Sequence, residues 1–563
     1  MREPEFDPTG AGNVASMSTT RREFLALVAA GSVTGLVPGC SRPASARGMA
    51  TSAAEIAAVM PAYRPTVLVK PDIEARGPIP AGYLTYPRNR VRVIGEKPGR
   101  SGRTIRSMTA WWGPAPLGAG RNAFVDAVNL ELGVPVNPSV QDGNAFGDKL
   151  SAILGARDVP DLLSVPAWEI DKIPRFGDAV KALFTDLTEY LRGDAVDAYP
   201  MLASIPTTAW QYSVWGGRLA AIPYPTSGPF PLALFYRKDL SDRAGIPAPK
   251  SIDEFYAFGK AMTRPSEGVW AFGSVFNLVQ MYFKCPGVKG GWRRRAGGSL
   301  EFKYELPEYE RAVEFTARLF QEGLIHPDFV ETRGADAKQL FNAGRIVAYE
   351  DGLGAWLGMQ REQQKITPGF LMQPVPIFSA DGGNPLAWGG QEPFFYTFLR
   401  KGLGRDRTEE LLRVLNWCGA PFGSVEYELA SFGVEGKHFT RAEDGSPVPT
   451  DLGSKEVAEQ FRLIGGRAPV EVATADVPHY MGDMLGYEQR TLPYLEDDIF
   501  TGIKITLPAN YSKTITVTED KLSDLLRGRR PLSDLKQIVR EWRNAGGDEG
   551  RAFLERTLAD SRR

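Results

Sequence analysis

The chain reads as an α/β fold, and three features carry that reading. From Thr104 onward, short apolar runs alternate with amphipathic helical patterns in β-α-β-α-β order, which implies a parallel, doubly wound sheet. Between Ala221 and Tyr236 four prolines forbid a helix and demand an extended segment. More than 500 of the 563 residues follow the N-terminal leader, enough for two large units or three of about 150 residues.

The leader comes first. Thr20 to Cys40 (T-R-R-E-F-L-A-L-V-A-A-G-S-V-T-G-L-V-P-G-C) opens on the pair Arg21-Arg22, runs through a short apolar stretch and ends on small residues before Cys40. Those are the parts of a secretory leader, and a twin-arginine pair is a bacterial export address. Phe24 to Val37 is shorter than the roughly 20 residues a membrane-spanning helix needs. The cut site resembles a lipobox, so residues 1–40 are expected to be a twin-arginine lipoprotein signal peptide with Cys40 acylated. The bland alternative is a secreted protein with an incidental cysteine. Met17 offers a second translation start. Residues 41–103 are rich in Ala, Pro, Arg and Gly without sustained periodicity, and read as a flexible tether. Ala53 to Met60 is a short helix at most, and the basic stretch 87–103 reads as solvated linker.

The folded body follows. Thr104 to Trp112 is a strand, then Phe124, Val128 and Leu132, spaced by four, mark a helix. Val134 to Val136 is a second strand, Ala145 to Leu154 a helix and Asp161 to Ser164 a third strand. Ligands of such sheets gather at the carboxyl ends of the strands, where Trp111, Trp112 and the turn to Trp168 lie. Ser251 caps the next helix, with Glu254 closing a capping box and Phe255 and Phe258 on its apolar face. Glu308 to Leu324 is amphipathic along Tyr309, Val313, Thr316, Phe320 and Leu324. A helix over 336–342 stops at Gly344 before a strand over 345–349, and 374–399 returns as extended chain with a Gly-rich, Trp-bearing interruption. Glu409 to Cys418 and Ser533 to Arg543 are helical.

Composition removes several function classes. With 66 basic and 67 acidic residues the net charge is −1, so no global field draws nucleic acid or an acidic bilayer. Three histidines (His326, His438, His479) lie far apart without metal spacing, which argues against zinc or Cys-protease chemistry. Cys285 and Cys418 are the one possible disulfide pair if Cys40 is acylated; two buried thiols are the preferred reading.

Several stretches then resemble one family. Gly155-Ala156-Arg157-Asp158-Val159-Pro160-Asp161 looks like an "A-S-G-D-x-P-D" turn, and Leu219 to Tyr224 like a "G-K-x-Y-G-I-P" strand. Tyr236 to Leu240 with Gly245-Ile246-Pro247 resembles an "R-K-D-W-L…L-G-I-x-x-P" junction. Leu319 to Phe329, Phe432 to Phe439 and Glu541 to Asp548 are further matches, all six in the expected order. The chain resembles the extracellular solute-binding proteins of bacterial ABC importers (family 1), of the long carbohydrate-binding lipoprotein type. Many relatives carry an Asp-rich calcium loop after the capped helix. Here Thr263 to Gly268 is T-R-P-S-E-G and lacks the ligands, so no metal is expected.

The resemblance implies a two-lobe periplasmic-binding-protein-like fold (type II), each lobe a doubly wound sheet, joined by crossing hinge strands. Lobe 1 is expected over 104–232 with about 386–418 returning to it, and lobe 2 over 236–372, completed by much of 419–563. It implies a monomeric, extracytoplasmic, lipid-anchored protein, touching the membrane through that anchor only. Such a protein captures a mono- or oligosaccharide and delivers it to ABC permease subunits, without cofactor, nucleic acid or catalysis. A pyranose offers an apolar C–H face to an aromatic ring and a hydroxyl rim to polar groups. The expected contacts are therefore Trp112, Trp356 and Trp388, then Trp111, Trp168 and Tyr224, with Asp351, Gln391, Glu392 and Arg121 as polar partners. A binding protein for peptide or another small solute is the alternative. A secreted glycoside hydrolase is disfavoured, because the adjacent acidic pairs 350–351 and 497–498 point to opposite faces of a strand.

Overall fold

The computed structural model describes residues 48–561, save 114, 171, 174, 288–289, 329–333, 391 and 497. The leader, with Arg21, Arg22 and Cys40, and the candidate Gln391 therefore lie outside the described residues.

Two mixed sheets organise the described residues as one compact unit. The five-stranded sheet of lobe 1 runs in the order Val136–Asp142, Ile105–Trp111, Leu162–Pro166, Phe395–Leu399, Ala221–Tyr224. Its first three strands are parallel, as β-α-β connections dictate, while Phe395–Leu399 is antiparallel to both neighbours. The four-stranded sheet of lobe 2 is Trp270–Phe272, Ile346–Asp351, Ala233–Arg237, Met372–Pro374, with Ala233–Arg237 the antiparallel member. Each sheet thus takes in one antiparallel strand, entered directly from the other lobe.

The second strand starts where it was expected to end. It runs to Asp142 through Pro138, and it lies at the sheet edge, where a missing N–H breaks no ladder. Helix Ala123–Leu132 is capped by Asn122, whose side-chain oxygen accepts from the N–H groups of Phe124 (3.0 Å) and Val125 (3.1 Å). Ser251 caps Ile252–Met262 as expected, but Glu254 reaches the N–H of Lys250 rather than closing the box on Ser251.

Alternation along the strands splits the lobe 1 core into two layers. Ile105 and Leu162 join Phe124, Val128 and Trp417 on one face; Met108, Ala110 and Leu163 join Phe146, Leu150 and Phe398 on the other. Lobe 2 has one large aromatic core, with Phe255 stacked on Phe272 (4.4 Å), Tyr282 on Phe378 (4.0 Å) and Phe302 on Trp542 (4.6 Å). Phe461 and Ile464 still belong to the lobe 1 core, and the chain joins the lobe 2 core only from Val477. Lobe 1 therefore keeps 419–464, and the part of 419–563 that packs into the lobe 2 core runs from Val477 to Leu558.

The tether expected over 41–103 is corrected for its described part, 48–103. Met49–Thr51 pairs with Lys504–Thr506, and Ala81–Tyr83 pairs with Val470–Val472. Ile56 and Val59 enter the lobe 1 core, and Ile79 packs on Met481 and Leu485. Buried carboxylates hold the rest. Glu426 accepts from the N–H groups of Val93 (3.1 Å) and Ile94 (2.9 Å), and Glu410 from those of Arg100 (2.7 Å) and Ser101 (2.8 Å). Low periodicity meant a strap of irregular backbone whose hydrogen bonds are met by distant side chains.

Candidate functional site

A cleft of about 1960 Å³ opens between the two sheets, at the carboxyl ends of their strands. Lobe 1 contributes Trp111 and Trp112 from the end of Ile105–Trp111, Trp168 from just past Leu162–Pro166, and Tyr224 from the end of its own strand. Lobe 2 contributes Asp351, the last residue of Ile346–Asp351.

Two crossing segments form the floor. Pro225 to Pro231 leaves lobe 1, and the segment bearing Trp388 and Glu392 returns to it. The Gly390 N–H donates to the carbonyl of Pro229 at 2.9 Å, so the crossings are bonded to each other. A third crossing follows Gly466, which packs so tightly that a Cβ there would lie 1.9 Å from the carbonyl oxygen of Pro223.

The aromatic wall holds the most exposed aromatic rings of the cleft. Trp112 and Trp168 are 40% and 39% exposed, with ring centroids 5.6 Å apart, and Phe394 extends the row 5.2 Å beyond Trp168. Large aromatic faces left open in a concave site are a stacking surface. Gly143 permits it: a Cβ there would fall 2.2 Å from the Trp112 ring.

Other expected residues are placed as follows. Trp388 is half-buried in the cleft wall, its indole N–H donating to the carbonyl of Cys285 at 2.8 Å. Asp351 accepts from the Tyr349 hydroxyl (2.7 Å) and the Gly352 N–H (2.8 Å), with Lys338 at 3.4 Å, so it is a fixed acceptor. Glu392 lies 3.2 Å from the Tyr396 hydroxyl and 3.8 Å from Lys504.

Two expectations fail. Trp356 is 2% exposed; its indole N–H donates to the carbonyl of Met372 (3.2 Å) and its ring packs on Phe235 and Tyr480. Its glycine neighbours suggested a loop, but Trp356 opens helix Trp356–Ile366 and turns into the core. Arg121 is exposed and is not among the residues that line the cleft. Glu350, beside Asp351, points away and accepts from Ser274 (2.7 Å) and the side chain (2.9 Å) and N–H (3.1 Å) of Asn277.

Sequence reasoning missed the charged groups from the C-terminal third. Glu471 and Glu488 are buried in the cleft wall. Burial pushes the Glu488 carboxyl up to about 8, helped by the nearby charge of Glu471. Burial raises Glu471 to about 7, although Ser227 and Arg462 pull the other way. Arg361 grips Asp476 with both guanidinium ends. No periodic pattern marks these residues; the Gly465-Gly466 pair was the one available signal of a close approach. Among the described residues no group of three or more His, Cys, Asp or Glu is placed to hold a metal, and no helix is long and apolar enough to cross a membrane.

Residues 115–391, about half the chain, match the model of the bacterial extracellular solute-binding proteins. The polygalacturonan/rhamnogalacturonan-binding protein YtcQ of Bacillus subtilis is 21% identical over 314 residues, covering 53% of this chain and 59% of that protein. The chain thus spans somewhat more than half the length of that relative. The crystal structure of alginate-binding protein AlgQ2 superposes with a TM-score of 0.61 at 14% identity, covering 82% of this chain and 99% of that one. Streptococcus pneumoniae FusA in complex with kestose gives 0.59 at 14% identity over the same shares. These likenesses show the two-lobe fold.

Proposed function

The chain belongs to the bacterial extracellular solute-binding proteins, and from that premise we propose that it is the substrate-binding lipoprotein of an ABC importer. It captures a sugar or oligosaccharide between its lobes and passes it to a membrane permease. The observation that carries this reading is the open row Trp112–Trp168–Phe394, in a cleft large enough for several sugar rings, facing fixed polar groups such as Asp351. Apolar pyranose faces stack on such rings while hydroxyls pair with the rim. The names of its relatives record polysaccharide, alginate and kestose binding, which supports the same ligand class.

Contacts made to both lobes at once favour the closed arrangement, and the permease then reads that shape. The protein leaves the bonds of its guest intact. Export by the twin-arginine route and acylation at Cys40 anchor it, as a monomer, to the outer face of the cell membrane. Cys40→Ser is expected to release the protein from membranes into the soluble fraction.

Isothermal titration with a panel of mono- and oligosaccharides and peptides tests the main reading. Saccharide binding that is lost in Trp112→Ala/Trp168→Ala supports it. Binding of peptides alone, or release of sugar products, overturns it.

A further inference from the structure

The charges of the cleft are not evenly matched. Lys338 pairs with Asp351 (3.4 Å), Lys504 with Glu392 (3.8 Å), Arg361 with Asp476 and Arg462 with Glu459. Lys303 and Arg467, which also line the cleft, have no carboxylate within 4.0 Å among the described residues. Arg467 is 7% exposed; it donates to the Ser431 hydroxyl at 3.1 Å and stacks 4.3 Å from the Tyr427 centroid.

Lys303 is held in place. Its backbone N–H donates to the carbonyl of Gly291 at 2.9 Å, and its stem lies where a Cβ on Gly291 would meet Cδ at 2.7 Å. The Lys303 ammonium sits 5.8 Å from the centroid of Trp388 and 5.9 Å from that of Tyr304. Trp388 is equally fixed, by its bond to Cys285 and by Gly287, where a Cβ would lie 2.1 Å from the ring. The cleft therefore carries a fixed aromatic ring with a cation beside it that no carboxylate among the described residues reaches within 4.0 Å, Glu519 and Glu496 acting on it only from farther off. A neutral ligand would bury that ammonium without pairing it, which is costly; a carboxylate would pair it in a charge-assisted bond. Burial lowers Lys303, while the nearby charges of Glu519 and Glu496 favour its charged form, and burial in turn raises Glu519 toward its uncharged form.

Building on the saccharide reading above, we propose that the ligand is an acidic oligosaccharide, with a uronosyl ring stacked on Trp388 and its carboxylate against Lys303. Arg467 supplies a second cation to the same cleft.

Titration calorimetry on the full chain tests this with three probes: trigalacturonate, the same trisaccharide with its carboxyls reduced to alcohols, and a glutamate oligopeptide of equal charge. Trigalacturonate is expected to bind at least about 10-fold more tightly than its reduced form, and more weakly as salt rises. Lys303→Met is expected to abolish that preference, weakening trigalacturonate while the reduced trisaccharide binds as well as or better than before, and Lys303→Arg to retain it. Reduced or other neutral oligosaccharides binding as tightly, with no effect of Lys303→Met, overturn the acidic ligand but leave the saccharide reading standing. Failure of every saccharide, or binding of the glutamate peptide alone, overturns both.

Discussion

The carboxylate of Glu488 rests against the crossing backbone at Gly228, where an added Cβ would fall 1.7 Å from Oε1. One residue belongs to the segment that leaves lobe 1 and the other to helix Tyr480–Thr491 on lobe 2. A buried acid is therefore packed onto a hinge strand with no side chain between them.

That contact makes Gly228 intolerant of even a methyl group. Gly228→Ala is expected to displace Glu488 and cost about 1–3 kcal/mol, read as a fall in melting temperature. Gly228→Ala combined with Glu488→Ala is expected to recover most of the loss. An unchanged melting temperature in the single variant contradicts the packing described.

The same acid sets a pH dependence. Folded-state values of about 8 for Glu488 and about 7 for Glu471 lie above the roughly 4.3 of an unfolded Glu. The folded state then holds more protons across that window, so these groups favour folding fully below about pH 4 and lose that contribution as pH rises to about 8. Glu488→Gln is expected to flatten the decline in stability between pH 5 and 8. Glu410 acts oppositely. Burial raises it, but the N–H groups of Ser101 and Arg100 outweigh burial and bring it down to about 2, so its contribution is lost as pH falls from about 4 to 2. Urea unfolding at several pH values checks both signs; a steeper decline in Glu488→Gln would refute the first.

The two kinds of tryptophan are expected to separate cleanly. Trp112→Ala or Trp168→Ala is expected to weaken saccharide binding about 10-fold or more with little change in stability. Trp356→Ala is expected to cost about 3–5 kcal/mol of stability, because it empties a core site. Parallel calorimetry and thermal melts decide, and a stable, binding-deficient Trp356→Ala would return that residue to the site.

Cys285 and Cys418 are free and buried in different cores. Burial pushes the Cys285 thiol up to about 12 and raises Cys418 further. Neither is expected to react with a thiol reagent until the protein is unfolded; rapid labelling of the native protein contradicts this.

The strap over 48–103 supplies another test. A chain beginning at Thr104 leaves Glu410 and Glu426 without their N–H donors and uncovers Phe422 and Tyr427, which pack on Tyr83 and Tyr86. It is expected to be less stable and prone to aggregate, whereas removal of a mere tether would leave the melting temperature unchanged.

What the sequence made legible was the periodic part. Helix Ala123–Leu132, strand Ile105–Trp111 and the four-proline crossing follow from spacing and proline chemistry, and Trp112 and Trp168 from their place at strand ends. The strap left no such trace, because its backbone is satisfied by Glu410 and Glu426 more than 300 positions away. Trp356 misled because glycine neighbours mark a helix start as readily as a loop. Lys303, Glu471 and Glu488 were hidden because only tertiary packing brings them to the cleft.

The central claim is a two-lobe clamp that closes on a sugar. Small-angle X-ray scattering of the protein, with and without a saturating oligosaccharide shown by calorimetry to bind, tests it most directly. The account predicts a smaller radius of gyration in the bound state; an identical scattering profile at full saturation would contradict it.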